Sequence, residues 1–272
     1  MPRPELVKDK MQMDAEAHYR PGSLLAPNAI DLMRTALLLD IDGTLIDIAD
    51  TPARVVVPPT LRKTLSNLLD LSGGGVALVS GRTIETIDEL FAPLTAPTIG
   101  GHGAEIRLTA TGPKLKQRPV DLSEPVRRQL HLLAKVDPCV LVEDKSHSIA
   151  LHYRLAAQQE NFLKREVAAI AAADPSDVEI LFGKAVIEIK PRLFSKGSAV
   201  CELMIHPPFA GRTPLFIGDD TTDESVFGLL PQLAGIGYSV GRPILGAQGT
   251  FRSPEHVRSW LARLSVHSRR SR

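Results

Sequence analysis

The chain has 272 residues, enough for one large α/β domain or for a medium domain carrying a smaller insert. Apolar residues make up 43% of it and the formal net charge is +1 with both signs interspersed, which argues against a disordered chain and against a field built for nucleic acid or an anionic membrane. The expected partner is a small molecule, and no protein partner is implied.

Cys139 and Cys201 sit in apolar runs far from any CxxC pairing, so neither a disulfide framework nor a zinc knuckle is expected. No run of about 18 uninterrupted apolar residues appears, and the first residues lack the apolar core of a signal peptide. A cytoplasmic protein is the expectation.

Residues 1–35 mix charges and prolines without periodicity and read as a tail. Ala36 to Leu39 then form a short continuous apolar run that ends on Asp40. Runs of this kind recur at Val76 to Val79 before Ser80, and at Leu215 to Ile217 before Gly218 and Asp219. Continuous rather than alternating apolar runs are expected of parallel strands buried on both faces. Helical patterns follow each: Pro59 to Leu71, Thr83 to Leu90 and Thr222 to Leu230. Strand then helix, repeated, predicts a parallel Rossmann-like sheet with helices on both sides, its ligands collecting at the carboxyl ends of the strands.

The middle reads differently. Amphipathic segments Ser123 to Val136 and Leu155 to Ala173 flank Val140 to Val142 and Ser148 to Tyr153, and in the last Ile149, Leu151 and Tyr153 alternate with small or polar residues. An antiparallel α+β module inserted into the parallel core is expected over 108–183, with the core in two parts, 36–107 and 184–272. The last residues, including Arg269, Arg270 and Arg272, read as a second solvated tail.

The chemistry concentrates at the strand tips. In Asp40-Ile41-Asp42-Gly43-Thr44 the carboxylates at i and i+2 of an extended segment emerge on one side. Held there together, they call for a cation or a shared proton, and Mg²⁺ is the natural choice because it couples carboxylates to phosphate oxygens. Asp40 is then placed to attack phosphorus, and Asp42, kept protonated, to serve the leaving oxygen as acid and a water as base. The bland alternative is an Asp-Gly turn ending a strand. Ser80 and Gly81, at a helix start, suit a phosphate oxygen, although Ser-Gly is also ordinary turn chemistry. Lys196 offers a fixed positive charge, although most lysines are merely solvated. In Gly218-Asp219-Asp220-Thr221-Thr222-Asp223-Glu224, Asp219 can complete the metal's ligands, while Asp220 and Asp223 orient neighbours or cap the following helix.

Strand-DxDGT, strand-SGR, Lys-Gly and strand-GDDxxD in this order resemble the haloacid dehalogenase phosphatases over about residues 36–260. The resemblance implies Asp40 as nucleophile, Asp42 as acid and base, Ser80, Gly81 and Lys196 at the phosphate, and Mg²⁺ held by Asp40, Asp219 and the Asp42 carbonyl. It also implies that the insert is a cap of the C2 type. Within that superfamily the chain is similar to the trehalose-6-phosphate phosphatases, through Gly101-His102-Gly103-Ala104-Glu105, Val142-Glu143-Asp144-Lys145, Ala150-Leu151-His152-Tyr153-Arg154, Gly183-Lys184, Glu188-Ile189-Lys190-Pro191 and the GDDTTDE string. The resemblance implies that Gly103, Glu143, Lys145, Arg154, Lys184 and Glu188 contact the disaccharide or gate the cap. The bland alternative for Glu143, Lys145 and Lys184 is an exposed ion-pair set. His102 reads equally as a hinge histidine bonded to backbone, and Lys190 departs from the arginine often found before this proline. The rivals are a phosphatase for another sugar phosphate such as sucrose 6-phosphate, a catalytically idle sugar-phosphate-sensing module, and a phosphomutase.

Overall fold

The computed structural model describes residues 24–49, 54–115, 121–174 and 177–270. Its larger sheet has seven strands in the order β11-β10-β9-β1-β2-β3-β4. These are β1 (Thr35–Asp40), β2 (Val76–Val79), β3 (Thr98–Gly100), β4 (Glu105–Arg107), β9 (Thr213–Gly218), β10 (Ile236–Val240) and β11 (Gly249–Phe251). All neighbours run parallel except β3 and β4.

The three central strands carry the expected apolar runs, and the two-residue period of an extended chain explains why both sides are apolar. Leu37 and Leu39 of β1 face one layer with Leu61, Leu65 and Leu68 of helix α1 (Pro59–Leu71), while Ala36 and Leu38 face the other with Phe216 and Phe227. Each leucine so enclosed contributes about 1.5–3 kcal/mol. Helix α2 (Ile84–Phe91) follows β2, and Thr83 caps its start by accepting from the Thr86 amide.

The smaller sheet is antiparallel, in the order β5-β6-β8-β7. Its strands are β5 (Leu141–Asp144), β6 (Ile149–His152), β7 (Val178–Gly183) and β8 (Val186–Pro191). Ile149 and Leu151 pair in register with Ile189 and Ile187, and this face packs on α3 (Glu124–Leu133) and α4 (Glu160–Ala173) through Val126, Leu130, Leu163 and Val167. The boundary expected at 183 falls inside the β7–β8 hairpin. Pairing of β8 with β6 as far as Ile189, and with β7 as far as Pro191, carries this module on to Pro191. Beyond it come α5 (Lys196–Met204), the single-turn α6 (Glu224–Phe227) and α7 (Pro254–Arg270). The Thr222 to Leu230 helix is broken into α6 between two 3₁₀ turns.

The described residues of both expected tails are folded against the rest of the chain. Trp260 Nε1 donates to the Leu25 carbonyl at 2.9 Å, the Leu25 amide donates to the Tyr238 hydroxyl at 3.0 Å, and Ile30 and Leu32 are buried. Residues 1–23 of that tail lie outside the described residues. At the other end the basic stretch continues α7 to Arg270, anchored by buried Val257, Trp260, Leu261 and Leu264. No described helix is long and apolar enough to cross a membrane.

Candidate active site

Strand register sets the floor of the site. Asp40 lies level with Val79 and Leu39 with Ile217, so Asp40, Ser80 and Asp219 leave three neighbouring strands at one height, all buried. The buried Lys196 opens α5 beside them. Ser195 and Ser198 close a capping box there. Gly103, at φ +105°, supports this turn from behind, since a Cβ on it would lie 2.2 Å from the Ser195 carbonyl oxygen. Lys196 Nζ donates to Asp40 Oδ1 and to Asp223 Oδ1, each at 2.7 Å.

This floor holds more negative charge than its one buried ammonium balances. Burial pushes the Asp40 carboxyl well above the ordinary carboxylate range, the charge of Asp223 adds to the push, and Lys196 opposes it. Asp219 is pushed up to about 6 by burial and then by Asp223. Burial would lower the Lys196 pKa, but the carboxylates of Asp223 and Asp40 outweigh it and hold the pKa above the usual lysine value. Oxygens of Asp40, Asp219 and Asp223 all lie within 4.8 Å of one another, a set of hard donors that fits a divalent cation. Gly43, at φ +83°, makes room for it: a Cβ there would lie 2.2 Å from Asp219 Oδ2. Asp223 is largely committed elsewhere, because its Oδ2 also accepts from the amides of Asp219 at 2.9 Å and Asp220 at 3.0 Å. Asp220 in turn accepts from the Thr221 amide at 2.8 Å.

Asp42 is clamped by a guanidinium. Both its oxygens accept from Arg82, Nε at 2.6 Å and Nη2 at 2.7 Å. Arg82 stood in the SGR string without an assigned role. Only the fold shows that the residue two past Ser80 reaches back across to Asp42. The Arg82 amide also donates to Ser80 Oγ at 3.2 Å.

The roof is the second face of the four-stranded sheet. Glu143, Ala150 and Glu188 stand in register across β5, β6 and β8 and point away from the apolar face. Glu188 is buried, accepting from Ser148 Oγ at 2.5 Å, Lys145 Nζ at 2.9 Å and His102 Nε2 at 3.2 Å. Burial works to raise its pKa, yet Lys145 and then His102 hold it well below the carboxylate range. His102 itself is kept low, first by burial. Its Nδ1 is a buried ring atom without a hydrogen-bond partner among the described residues. Lys145 is the cation that balances Glu188, its pKa raised by Glu188 and Glu143 against the effect of burial. The His102 side chain thus joins the core to the smaller sheet, while its amide donates to the Ser80 carbonyl at 3.0 Å.

Between floor and roof lies a cavity of about 210 Å³. Asp40, Asp42, Ser80, Gly81, Lys196 and Asp219 line its floor, and Glu143, Lys145, Arg154, Lys184 and Glu188 line its roof and mouth. Lys184, at the tip of the β7–β8 hairpin, reaches Asp219 Oδ2 at 3.5 Å, and Arg154 donates to the Lys184 carbonyl at 2.9 Å. The charged roof residues are not all an exposed set: Lys145 and Glu188 are buried, while the Lys184 side chain is 69% exposed. Gly103 is not on the cavity wall; it lies behind Ser195. His152, 2.9 Å from Glu143, lines the cavity without having been singled out, although its place two residues after Ala150 on β6 put it on this face.

Residues 38–244 match the family of trehalose-phosphatases. A probable trehalose-phosphate phosphatase of Sinorhizobium fredii is 39% identical over 245 residues, 89% of this chain and 92% of that protein. The trehalose-6-phosphate phosphatase of Escherichia coli is 37% identical, over 85% of this chain and 86% of its own. In structure, the C-terminal domain of the Candida albicans trehalose-6-phosphate phosphatase superposes with a TM-score of 0.78 at 24% identity, covering 91% of this chain and 98% of that one. The chain belongs to the trehalose-phosphatase family.

Proposed function

We propose that this chain hydrolyses trehalose 6-phosphate to trehalose and phosphate, a phosphoric monoester hydrolase of trehalose biosynthesis. The observation that carries the reading is the buried Asp40–Lys196 pair at 2.7 Å, set beneath a roof of carboxylates and ammonium groups in a chain of this family. The unpaired Cys139 and Cys201 fit a cytoplasmic setting.

Asp40 and Asp219, with the backbone carbonyl of Asp42, would hold Mg²⁺, which when bound neutralises charge on the phosphoryl oxygens. Asp223 keeps Lys196 and the Asp219 loop in place, and Asp220 caps the turn that follows. Lys196, with Ser80 and the amide of Gly81, binds the phosphoryl oxygens, and Lys196 aligns Asp40 for attack. An Asp40 oxygen bonds to phosphorus as the bond to the sugar oxygen breaks. Asp42, having taken a proton and released Arg82, gives that proton to the departing oxygen. It then takes one from a water that attacks the aspartyl phosphate, freeing inorganic phosphate and restoring Asp40. Glu143, Lys145, Arg154, Lys184 and Glu188 bracket the sugar hydroxyls with acceptors and donors. Gly103 supports Ser195, the residue before Lys196.

The test is phosphate release from trehalose 6-phosphate, sucrose 6-phosphate and glucose 6-phosphate, with Mg²⁺ and with EDTA, by wild type and Asp40→Asn. Mg²⁺-dependent turnover of trehalose 6-phosphate, lost in a folded Asp40→Asn, is expected. Preference for another sugar phosphate sinks the substrate, and no turnover of any sinks the enzyme.

A further inference from the structure

Residues 191–195 join the last strand of the smaller sheet directly to Lys196, and the amine that organises them is Lys190. Its ammonium is almost fully buried. It donates to the carbonyls of Pro191 (3.1 Å) and Phe194, and pairs with Glu179 Oε2 at 2.9 Å. It also lies 5.0 Å from the centre of the Phe194 ring. Three acceptors meet the three protons of an ammonium.

A charge this deep is costly unless it is paired, so its partners are held strictly, and they are two carbonyls of the connection and one carboxylate of β7. The same connection is tied to the start of β7 by Arg192, whose amide donates to the Asp177 carbonyl at 2.8 Å. At its far end the Ser195 carbonyl rests on Gly103 of the core. Lys196 has its own supports in Asp40, Asp223 and the Ser195–Ser198 box, so Lys190 is not needed to hold it. What the Lys190 contacts define is the direction in which β8 leaves α5.

We infer that Lys190 is a positioning residue, the pin of the cap–core hinge: it sets the seating of the roof over the floor and thereby turnover of the sugar phosphate. The inference rests on the phosphatase reading for its kinetic arm and on geometry alone for its structural arm. For the structural arm, spin labels go on Cys139, exposed in the smaller module, and on Leu245→Cys, at a position 65% exposed in the core, with Cys201→Ser removing the third site. Wild type should give one narrow distance distribution. Lys190→Met should broaden it toward longer distances, Glu179→Gln should do so less, and Lys190→Arg should restore it. If Lys190→Met does not fold, Glu179→Gln decides by the same measurement. For the kinetic arm, kcat/KM for trehalose 6-phosphate should fall about 10- to 100-fold in Lys190→Met. Hydrolysis of p-nitrophenyl phosphate, which has no sugar to seat, should change less than about twofold. An unaltered distance distribution, or equal losses on both substrates, overturns the inference. A wild type idle on both substrates with the distance shifts intact sinks the phosphatase reading and leaves the hinge standing.

Discussion

Asp40, Ser80 and Asp219 reach the floor of the cavity by ending three adjacent parallel strands at one level, whereas Glu143, Lys145 and Glu188 reach the roof as side chains along or just beyond an antiparallel sheet face. On the floor, backbone direction does most of the aiming, and residues separated by 156 positions, such as Asp40 and Lys196, meet at 2.7 Å with little exposed surface. On the roof, aiming depends on register and on mutual pairing, and exposure runs from the buried Glu188 to the mostly exposed Lys184. The difference teaches that charge is held rigidly below and adjustably above. That suits the phosphoryl site proposed for the floor and the sugar contacts proposed for the roof.

The sharpest way to break the comparison is Lys196→Met. Removing one partner of a buried ionic set leaves carboxylates unpaired, so stability should fall by about 3–5 kcal/mol in a denaturant titration. Turnover should be lost by at least about 10³-fold. Added Mg²⁺ should recover part of the stability and none of the turnover; a loss below about 1 kcal/mol would mean that the floor is not a tight ionic unit.

Gly43→Ala probes the same floor through its backbone. The left-handed φ costs about 1–2 kcal/mol for a residue with a Cβ, and the new methyl must displace Asp219. The Mg²⁺ concentration giving half-maximal activity should rise about tenfold, read from a metal titration. No change in that midpoint would remove Asp219 from the cation.

Glu188→Gln moves the test to the buried part of the roof. The folded-state pKa of Glu188 is depressed, so its contribution to stability is present above its unfolded value of about 4.3 and is lost as pH falls through the lower folded value. The variant should be less stable at neutral pH and should lose stability less steeply than wild type below about pH 4, as followed by acid unfolding. Its kcat/KM for the sugar phosphate should drop about 10- to 100-fold. Parallel acid-unfolding curves would mean that Glu188 is not held by Lys145. The smallest effect belongs to Lys184→Ala, whose exposed pair with Asp219 is worth under about 1 kcal/mol. A rise in KM of about two- to fivefold with kcat unchanged is expected, and a large fall in kcat would move Lys184 from mouth to floor.

What could be read from the chain itself was whatever depends on near neighbours. Continuous apolar runs ending in Asp40, Ser80 and Asp219 announced buried parallel strands and the positions of their tips. Alternation through Ile149, Leu151 and Tyr153 announced the antiparallel module, and the order of short motifs announced the family. Periodicity and turn residues are local properties, so they survive in a linear string. Contacts between distant segments do not. That Arg82 clamps Asp42, that His102 and Lys145 meet on Glu188, and that Gly103 backs Ser195 rather than lining the cavity were decided by how strands and turns pack. The basic end looked like a tail because its charges dominate composition, yet Val257, Trp260, Leu261 and Leu264 fall on one helical face that becomes meaningful only once the larger sheet offers a surface to cover.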